Sequence, residues 1–369
     1  MPPLKIYVAA TRQNDGKKVM ALGLVLALQK RFARVGYIKP VGQQYIEVDG
    51  AKIDKDAVLV HEVTGVASKL QDMSPVAVPR GFTESYLDEP HRDDLVRRIT
   101  ECYARASEGT DITVIEGTGH AGVGSVFDMS NADVASLLDA PVLIVSSGGI
   151  GRPIDEISLN KSVFEQKNVT IAGVVVNKIQ PEKYDKINKY VRKGLERQSL
   201  RTWGVIPFNE VLSHPTVEQL ASDLKAEVLS GASHLKVPVR RFVIGAMRAH
   251  EALDWFDRDA LLITPGNREE LILAALSMRA AGRDHGVAGI VLTCGMEPHP
   301  SVLALIRDTD LPVILVQQDT FDTASRMHDL IVKIRASDTA KIRETQRLVE
   351  DFLDIDGLIG WLKEHAARE

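Results

Sequence analysis

Residues 9–18, Ala9-Ala10-Thr11-Arg12-Gln13-Asn14-Asp15-Gly16-Lys17-Lys18, close a short apolar run (KIYVAA, 5–10) and open a longer one (KKVMALGLVLALQKRF, 17–32). A strand that ends in Gly-Lys and runs straight into a helix is where a phosphate loop belongs. The helix start offers unpaired N–H groups and the positive end of its dipole, the glycine lets the backbone wrap an anion, and the lysine adds a cation. Against the pattern G-x-x-x-x-G-K-S/T, the leading glycine is Thr11, or Ala10 if the loop is one residue longer, and the closing hydroxyl is Lys18. On these residues alone, a tight strand-to-helix turn with exposed lysines stands beside nucleotide binding.

The same alternation continues outward. VGYIKPV (35–41), DITVIEGTG (111–119), APVLIVSSGG (140–149), IAGVVVNKI (171–179) and TWGVIPF (202–208) are short, β-branched and almost uniformly apolar, and amphipathic stretches separate them. Such runs form a parallel sheet with helices on both faces, so the fold is α/β. Ligands of such sheets bind at the strands' carboxyl ends. Besides the loop, the tips present Lys39-Pro40-Val41-Gly42, Glu116-Gly117-Thr118-Gly119-His120, Val176-Asn177-Lys178 and Gly204-Val205-Ile206-Pro207. A lysine set by a following proline reaches a phosphate or carboxylate, and a glutamate beside a phosphate loop can hold magnesium. Asp54 and Asp56 open a helix, as caps or as ligands. Ser146-Ser147-Gly148-Gly149-Ile150-Gly151 reads equally as an anion cradle or a close-packed turn.

The rhythm breaks around residues 214–240, which puts a domain boundary near residue 228. A smaller α/β domain follows, residues 229–338, with strands RFVIGAM (241–247), ALLITPG (260–266), GIVLTCG (289–295) and PVILVQQ (312–318). Its helices are expected over 249–256, 268–282 and 301–309, with a long last one after 318. A helical tail, 339–369, carries Ile342, Val349, Phe352 and Leu353 on one stripe and packs on its own domain or serves as a docking helix.

Composition removes several classes. The 369 residues carry 45 Lys+Arg against 50 Asp+Glu, a net charge of −5, which gives no reason to expect a nucleic-acid partner. The hydrophobic content of 44% with 26% charged residues is that of packed globular protein. No stretch is apolar enough for a membrane span and the N-terminus has no signal-peptide core, so a cytoplasmic protein without a membrane partner is expected. Cys102 and Cys294 have no CxxC spacing, no histidine pair has metal-binding spacing, and G-x-S-x-G is absent, which argues against disulfide, zinc and hydrolase-triad readings. Arg268 and Glu269 read as caps of the helix that follows.

Six landmarks in order, Thr11–Lys17, KPV at 39–41, Asp56, EGTGH at 116–120, VNK at 176–178 and GVIP at 204–207, resemble dethiobiotin synthetase and the related cobyrinic acid a,c-diamide synthase group, over roughly residues 3–225. The stretch Thr264–Ile272 resembles the DRTGG domain, with Asn267 for its Asp and without its Gly pair. Together the two resemble the N-terminal part of long bacterial phosphate acetyltransferases. The resemblance implies a P-loop NTPase-like sheet followed by a smaller DRTGG-like domain. It implies that Thr11, Asn14, Gly16, Lys17 and Lys18 surround ATP phosphates, that Lys17 and Lys39 serve phosphate and a carboxylated substrate, that Asn177 reads adenine beside Pro207, and that Asp56 and Glu116 hold magnesium. His120 and Gly122–Ser125 depart from the synthetase and look like the acetyltransferase version. Lys18 departs from the expected hydroxyl: it offers no ligand oxygen and brings a positive charge next to the metal seat, where two unit charges about 4 Å apart exchange roughly 4 kcal/mol at an effective dielectric near 20, so it could compete with magnesium or replace its charge.

These features predict an ATP-binding regulatory or sensor protein with a degenerate loop. The alternatives are a Mg-ATP-dependent ligase that activates a carboxylate or carbamate, and a homo-oligomeric interaction module without nucleotide affinity. The expected partners are the nucleotide, a small anionic substrate or effector, and further copies of the chain. With no acetyl-transferring domain before Glu369, acetyl transfer by this chain alone is not expected.

Overall fold

The six apolar runs of the first part of the chain pair as a parallel sheet: β1 (Leu4–Ala10), β2 (Val35–Ile38), β3 (Ile112–Glu116), β4 (Val142–Ser147), β5 (Ile171–Ile179) and β6 (Thr202–Pro207), in the order β6-β5-β4-β1-β3-β2. The computed structural model describes residues 3–280, 286–328 and 334–368 and divides into two units, 1–209 with 334–369, and 210–333. After β1 the chain builds outward to β2 and β3, then returns past β1 to place β4 on its other side. The order therefore reverses between β1 and β4, where strand tips diverge and leave a crevice.

Side chains alternate between the two faces of each strand. Tyr7, Ala9, Ile115, Val142, Ile144, Val174 and Val176 form one core with residues of three helices: Leu95 and Ile99 of α3 (92–107), Ile157 and Phe164 of α5 (151–166), and Val191 and Leu195 of α6 (184–196). Ile6 and Val8, buried on the alternate positions, face α1 (Lys17–Leu28), which also runs against β3. Two shorter helices complete the site's surroundings, α2 (Lys55–Thr64) and α4 (Asn131–Leu137).

The second unit begins with α7 (Val217–Leu224) and has β7 (Glu227–Ser230), β8 (Arg241–Ile244), β9 (Ala260–Pro265), β10 (Gly289–Thr293) and β11 (Val313–Leu315), ordered β7-β11-β10-β9-β8. All pairs are parallel except β7 with β11. Helices α8 (Glu269–Ala280), α9 (Pro300–Arg307) and α10 (Thr320–His328) accompany them; the expected helix ends at 281–282 and at 329–333 lie outside the described residues.

The division differs from the expected boundary near 228. Val217, Leu220 and Leu224 of α7 are buried with Leu261, Ile263 and Val291 of the second unit, and β7 supplies a fifth strand to its sheet. Apolar burial of this kind assigns residues 210–228 to the core they complete. The tail also differs. Helices α11 (Thr339–Phe352) and α12 (Ile355–Ala366) return to the first unit, with α11 lying on α1. The buried face of α11 is Lys341, Thr345, Leu348 and Val349, while Ile342 is only half-buried. Gly23 of α1 makes this approach possible: a Cβ there would stand 2.4 Å from Val349 Cγ2 and 3.1 Å from the Thr345 carbonyl oxygen. Beyond α11, Asp354 N–H donates to the Trp203 carbonyl at 2.8 Å, covering the edge of β6.

Candidate functional site

The loop between β1 and α1 is held from below and from the side. Gly16 caps α1 at φ 97°, left-handed backbone that favours glycine, and a Cβ there would meet Asn177 Nδ2 at 2.1 Å. Asn14 is also left-handed, at φ 67°. Asp15 stands in the position before Gly-Lys with a buried carboxylate that accepts from Thr11 Oγ1 (2.7 Å) and the Arg12 N–H (2.8 Å). Thr11 Oγ1 also lies 3.0 Å from Ser146 Oγ on β4, so the Ser146–Gly151 segment braces the loop across the crevice. Arg12 is tied to Glu156 of α5 at 2.8 Å.

Asn177 and Lys178 at the tip of β5 grip the loop carbonyls. Asn177 Nδ2 donates to the Asp15 carbonyl at 3.0 Å, its Oδ1 accepts the Lys178 N–H at 2.9 Å, and Lys178 Nζ donates to the Asn14 carbonyl at 2.5 Å. Each end of the Asn177 amide thus makes one bond within the chain, which leaves one N–H and one lone pair of the amide unused. Pro207, at the end of β6, is half-buried.

The expected lysines and carboxylates do meet, because the tips of β1, β2 and β3 lie side by side. Lys39 is buried among three carboxylates: 3.1 Å from Asp54, 3.7 Å from Glu116, and hydrogen-bonded to Asp56 Oδ2. Lys18 pairs with Asp56 Oδ1. Glu116, buried at the end of β3, accepts from the Tyr37 hydroxyl at 2.7 Å. Asp54 settles the capping alternative: its Oδ1 accepts the Asp56 N–H at 2.9 Å and caps α2, which leaves Asp56 turned to the lysines. Burial pushes the Glu116 carboxyl up against the pull of Lys39. Asp56 goes the other way, since Lys39 and Lys18 overcome its burial and hold it well below the usual carboxylate range. Lys17 is the exception among the lysines, with no hydrogen bond or ion pair to any described residue; burial, opposed by Glu116 and aided by the Lys39 cation, brings it down to about 8.

Magnesium does not fit this seat as it is built. Each Asp56 oxygen already holds an ammonium group, one Glu116 oxygen holds a phenol, and no three acidic, cysteine or histidine side chains among the described residues converge as metal ligands. The ion demands near-ideal octahedral oxygen coordination, and at Asp56 it would have to share both oxygens with ammonium groups that repel it, which leaves Glu116 Oε1 as the one carboxylate oxygen of Asp56 and Glu116 without a hydrogen bond.

Several organising residues carried no signal in the sequence. Tyr37 and Asp15 are among them. So is Asn131 at the start of α4, whose Oδ1 accepts from the Tyr7 hydroxyl (2.8 Å) and the Thr118 N–H (2.8 Å), while its Nδ2 donates to the Thr118 and His120 carbonyls (2.6 Å each). It shapes the turn after Glu116, leaving the His120 side chain exposed. In the second unit Arg268 donates to the Gly245 and Met247 carbonyls and Glu269 accepts from the His299 N–H, so both tie loops together.

Comparison with known proteins agrees with this division. Residues 5–216 match the family model described as an AAA domain, and residues 219–330 match the DRTGG domain. Phosphate acetyltransferase of Synechocystis is 26% identical over 97% of this chain and 52% of that protein; the Nitrosomonas europaea enzyme is 27% identical over 94% and 50%. The chain spans about half the length of these relatives, matching their N-terminal part. A plasmid partition protein of Borrelia burgdorferi, solved with AMPPNP, has a TM-score of 0.40 at 16% identity, over 57% of this chain and 90% of that one. No helix among the described residues is long and apolar enough to cross a membrane. With its larger part matched by the one model and most of the remainder by the other, the chain belongs to the AAA domain family and carries a DRTGG domain behind it.

Proposed function

We propose that this chain is a nucleotide-binding regulatory module, in which the loop from Thr11 to Lys18 takes the phosphates of ATP and the bound state, rather than a chemical step, is the output. The observation that carries this reading is Lys17. Lys17 is a half-buried residue that opens a twelve-residue helix whose start has no side-chain cap, and its ammonium has no hydrogen-bond or ion-pair partner among the described residues. A desolvated cation beside free helix N–H groups is stabilised by an anion, and a phosphate chain supplies one that the surrounding carboxylates cannot. The same cluster weighs against the ligase alternative, because Asp56, one of the two carboxylates that would seat a metal, already holds an ammonium group on each oxygen. Acetyl transfer belongs to the full-length relatives; in this reading the chain's part is to sense nucleotide.

Calorimetric titration of ATP into the whole chain tests the proposal. Saturable binding that weakens at least tenfold in Lys17→Ala, with the fold retained by circular dichroism, is the expected result. Absence of binding in the wild type, or equal binding in the variant, overturns it.

A further inference from the structure

We infer that Lys18 takes the place of the divalent cation, so that the loop binds its polyphosphate without metal; this rests on the nucleotide reading above and specifies the ionic form of the ligand. The geometry starts at α2. Asp54 caps that helix through Asp56 N–H (2.9 Å), also accepts the Gln44 N–H (3.2 Å), and has its own N–H bonded to Ser74 Oγ (2.9 Å). Asp56 is thereby fixed with its carboxylate facing the start of α1. Its two oxygens are then divided between two ammonium groups, Lys18 on Oδ1 and Lys39 on Oδ2.

Charge balance points the same way. Lys17, Lys18 and Lys39 face Asp54, Asp56 and Glu116, three cations against three anions, so the cluster is neutral before any ion is added. In a loop that ends in a hydroxyl, the carboxylates would lack one of these cations, and a metal would supply the missing charge. Here a divalent ion would meet two ammonium groups already on Asp56, and their charges repel it whether or not one of them is displaced. The ammonium carries three N–H donors and no lone pair. It therefore bonds Asp56 and phosphate oxygens at once, but it cannot be a ligand to the metal it replaces.

The test compares ATP binding in EDTA and in excess Mg²⁺ for the wild type, Lys18→Thr and Lys18→Arg, with Mn²⁺ titration followed by water proton relaxation on the same proteins. The wild type is expected to bind ATP at least as tightly in EDTA as in Mg²⁺. Lys18→Thr is expected to lose at least tenfold in EDTA and to recover with Mg²⁺, and to gain Mn²⁺ binding. Lys18→Arg, which keeps the charge, should retain metal-independent binding and so controls for misfolding. Binding by the wild type that is tenfold tighter with Mg²⁺ than in EDTA overturns the inference. If the wild type binds no ATP in either buffer, the nucleotide reading fails, and Mn²⁺ decides the cation replacement separately: Mn²⁺ binding by the wild type that is lost in Asp56→Asn refutes it, whereas binding gained only in Lys18→Thr upholds it.

Discussion

Lys39→Met removes the cation at the centre of the cluster while keeping most of the side chain's length. The Lys39 side chain is 7% exposed, and its partners Asp54 and Glu116 are each 1% exposed, so water cannot take over the lost interactions. Deleting one partner of a buried ion pair costs about 3–5 kcal/mol, because the charges left behind stay desolvated. Lys18 keeps its contact with Asp56 and compensates only there, which leaves Glu116 and Asp54 without their nearest cation. We therefore expect a loss of about 3–5 kcal/mol in the first unit. Urea denaturation followed by tryptophan fluorescence measures it in a Trp255→Phe background, which removes the second unit's tryptophan, itself 52% exposed, and leaves Trp203 and Trp361 to report. Adding Glu116→Gln removes one stranded charge and should recover about 1–3 kcal/mol, the size of coupling expected between residues in one network. A single-variant loss below about 1 kcal/mol would refute the reasoning, since that is the scale of a solvated surface pair.

Other changes probe the elements around the site. Gly16→Ala places a methyl 2.1 Å from Asn177 Nδ2 at φ 97°, so it should cost about 1–3 kcal/mol and weaken ATP binding at least tenfold; calorimetry and denaturation check the two separately. Gly23→Ala gains helix propensity but meets Val349 Cγ2, and overpacking should leave it about 1 kcal/mol less stable than wild type. In a Val349→Ala background the penalty for the same change should shrink, because only the Thr345 carbonyl oxygen and the Cβ of residue 349 remain, each 3.1 Å from the new methyl, and stabilisation in the wild-type background would mean that α11 does not lie there. Asp133, half-buried at α4, is held below the usual carboxylate range: its burial is outweighed by bonds from Lys167 and from Ser130 of the capping box. A depressed folded pKa contributes stability above the unfolded value, near 3.9, that is lost as pH falls through the lower folded value. Thermal unfolding should therefore show an Asp133→Asn deficit that is full at pH 7 and shrinks below pH 4.

The strands and the site's outline were legible in the amino-acid order because both depend on local chemistry. Uniformly apolar, β-branched runs alternating with amphipathic ones suit a parallel sheet covered by helices on both faces, and a parallel sheet puts every carboxyl end on one edge. Lys17, Lys39, Asp56 and Glu116 could thus be brought together on paper from their places at strand tips and helix starts. Their pairing could not. That Lys18 turns to a carboxylate rather than to solvent, and that Asn177 spends its amide on the loop, depend on distances between segments dozens of residues apart, while the choice between Asp54 and Asp56 as the cap of α2 depends on local backbone angles. The ownership of α11 and α12 was hidden for a related reason. An amphipathic stripe records that a helix must bury a face, not which core it completes, and the matching feature here is Gly23, more than 300 residues earlier, where the lack of a Cβ lets α11 approach. The sequence alone determined the kinds of element and the inventory of charges at their tips. Only the tertiary structure decided the partners, because hydrogen bonds and ion pairs act over a few ångströms and the chain's order does not say which distant atoms will lie that close.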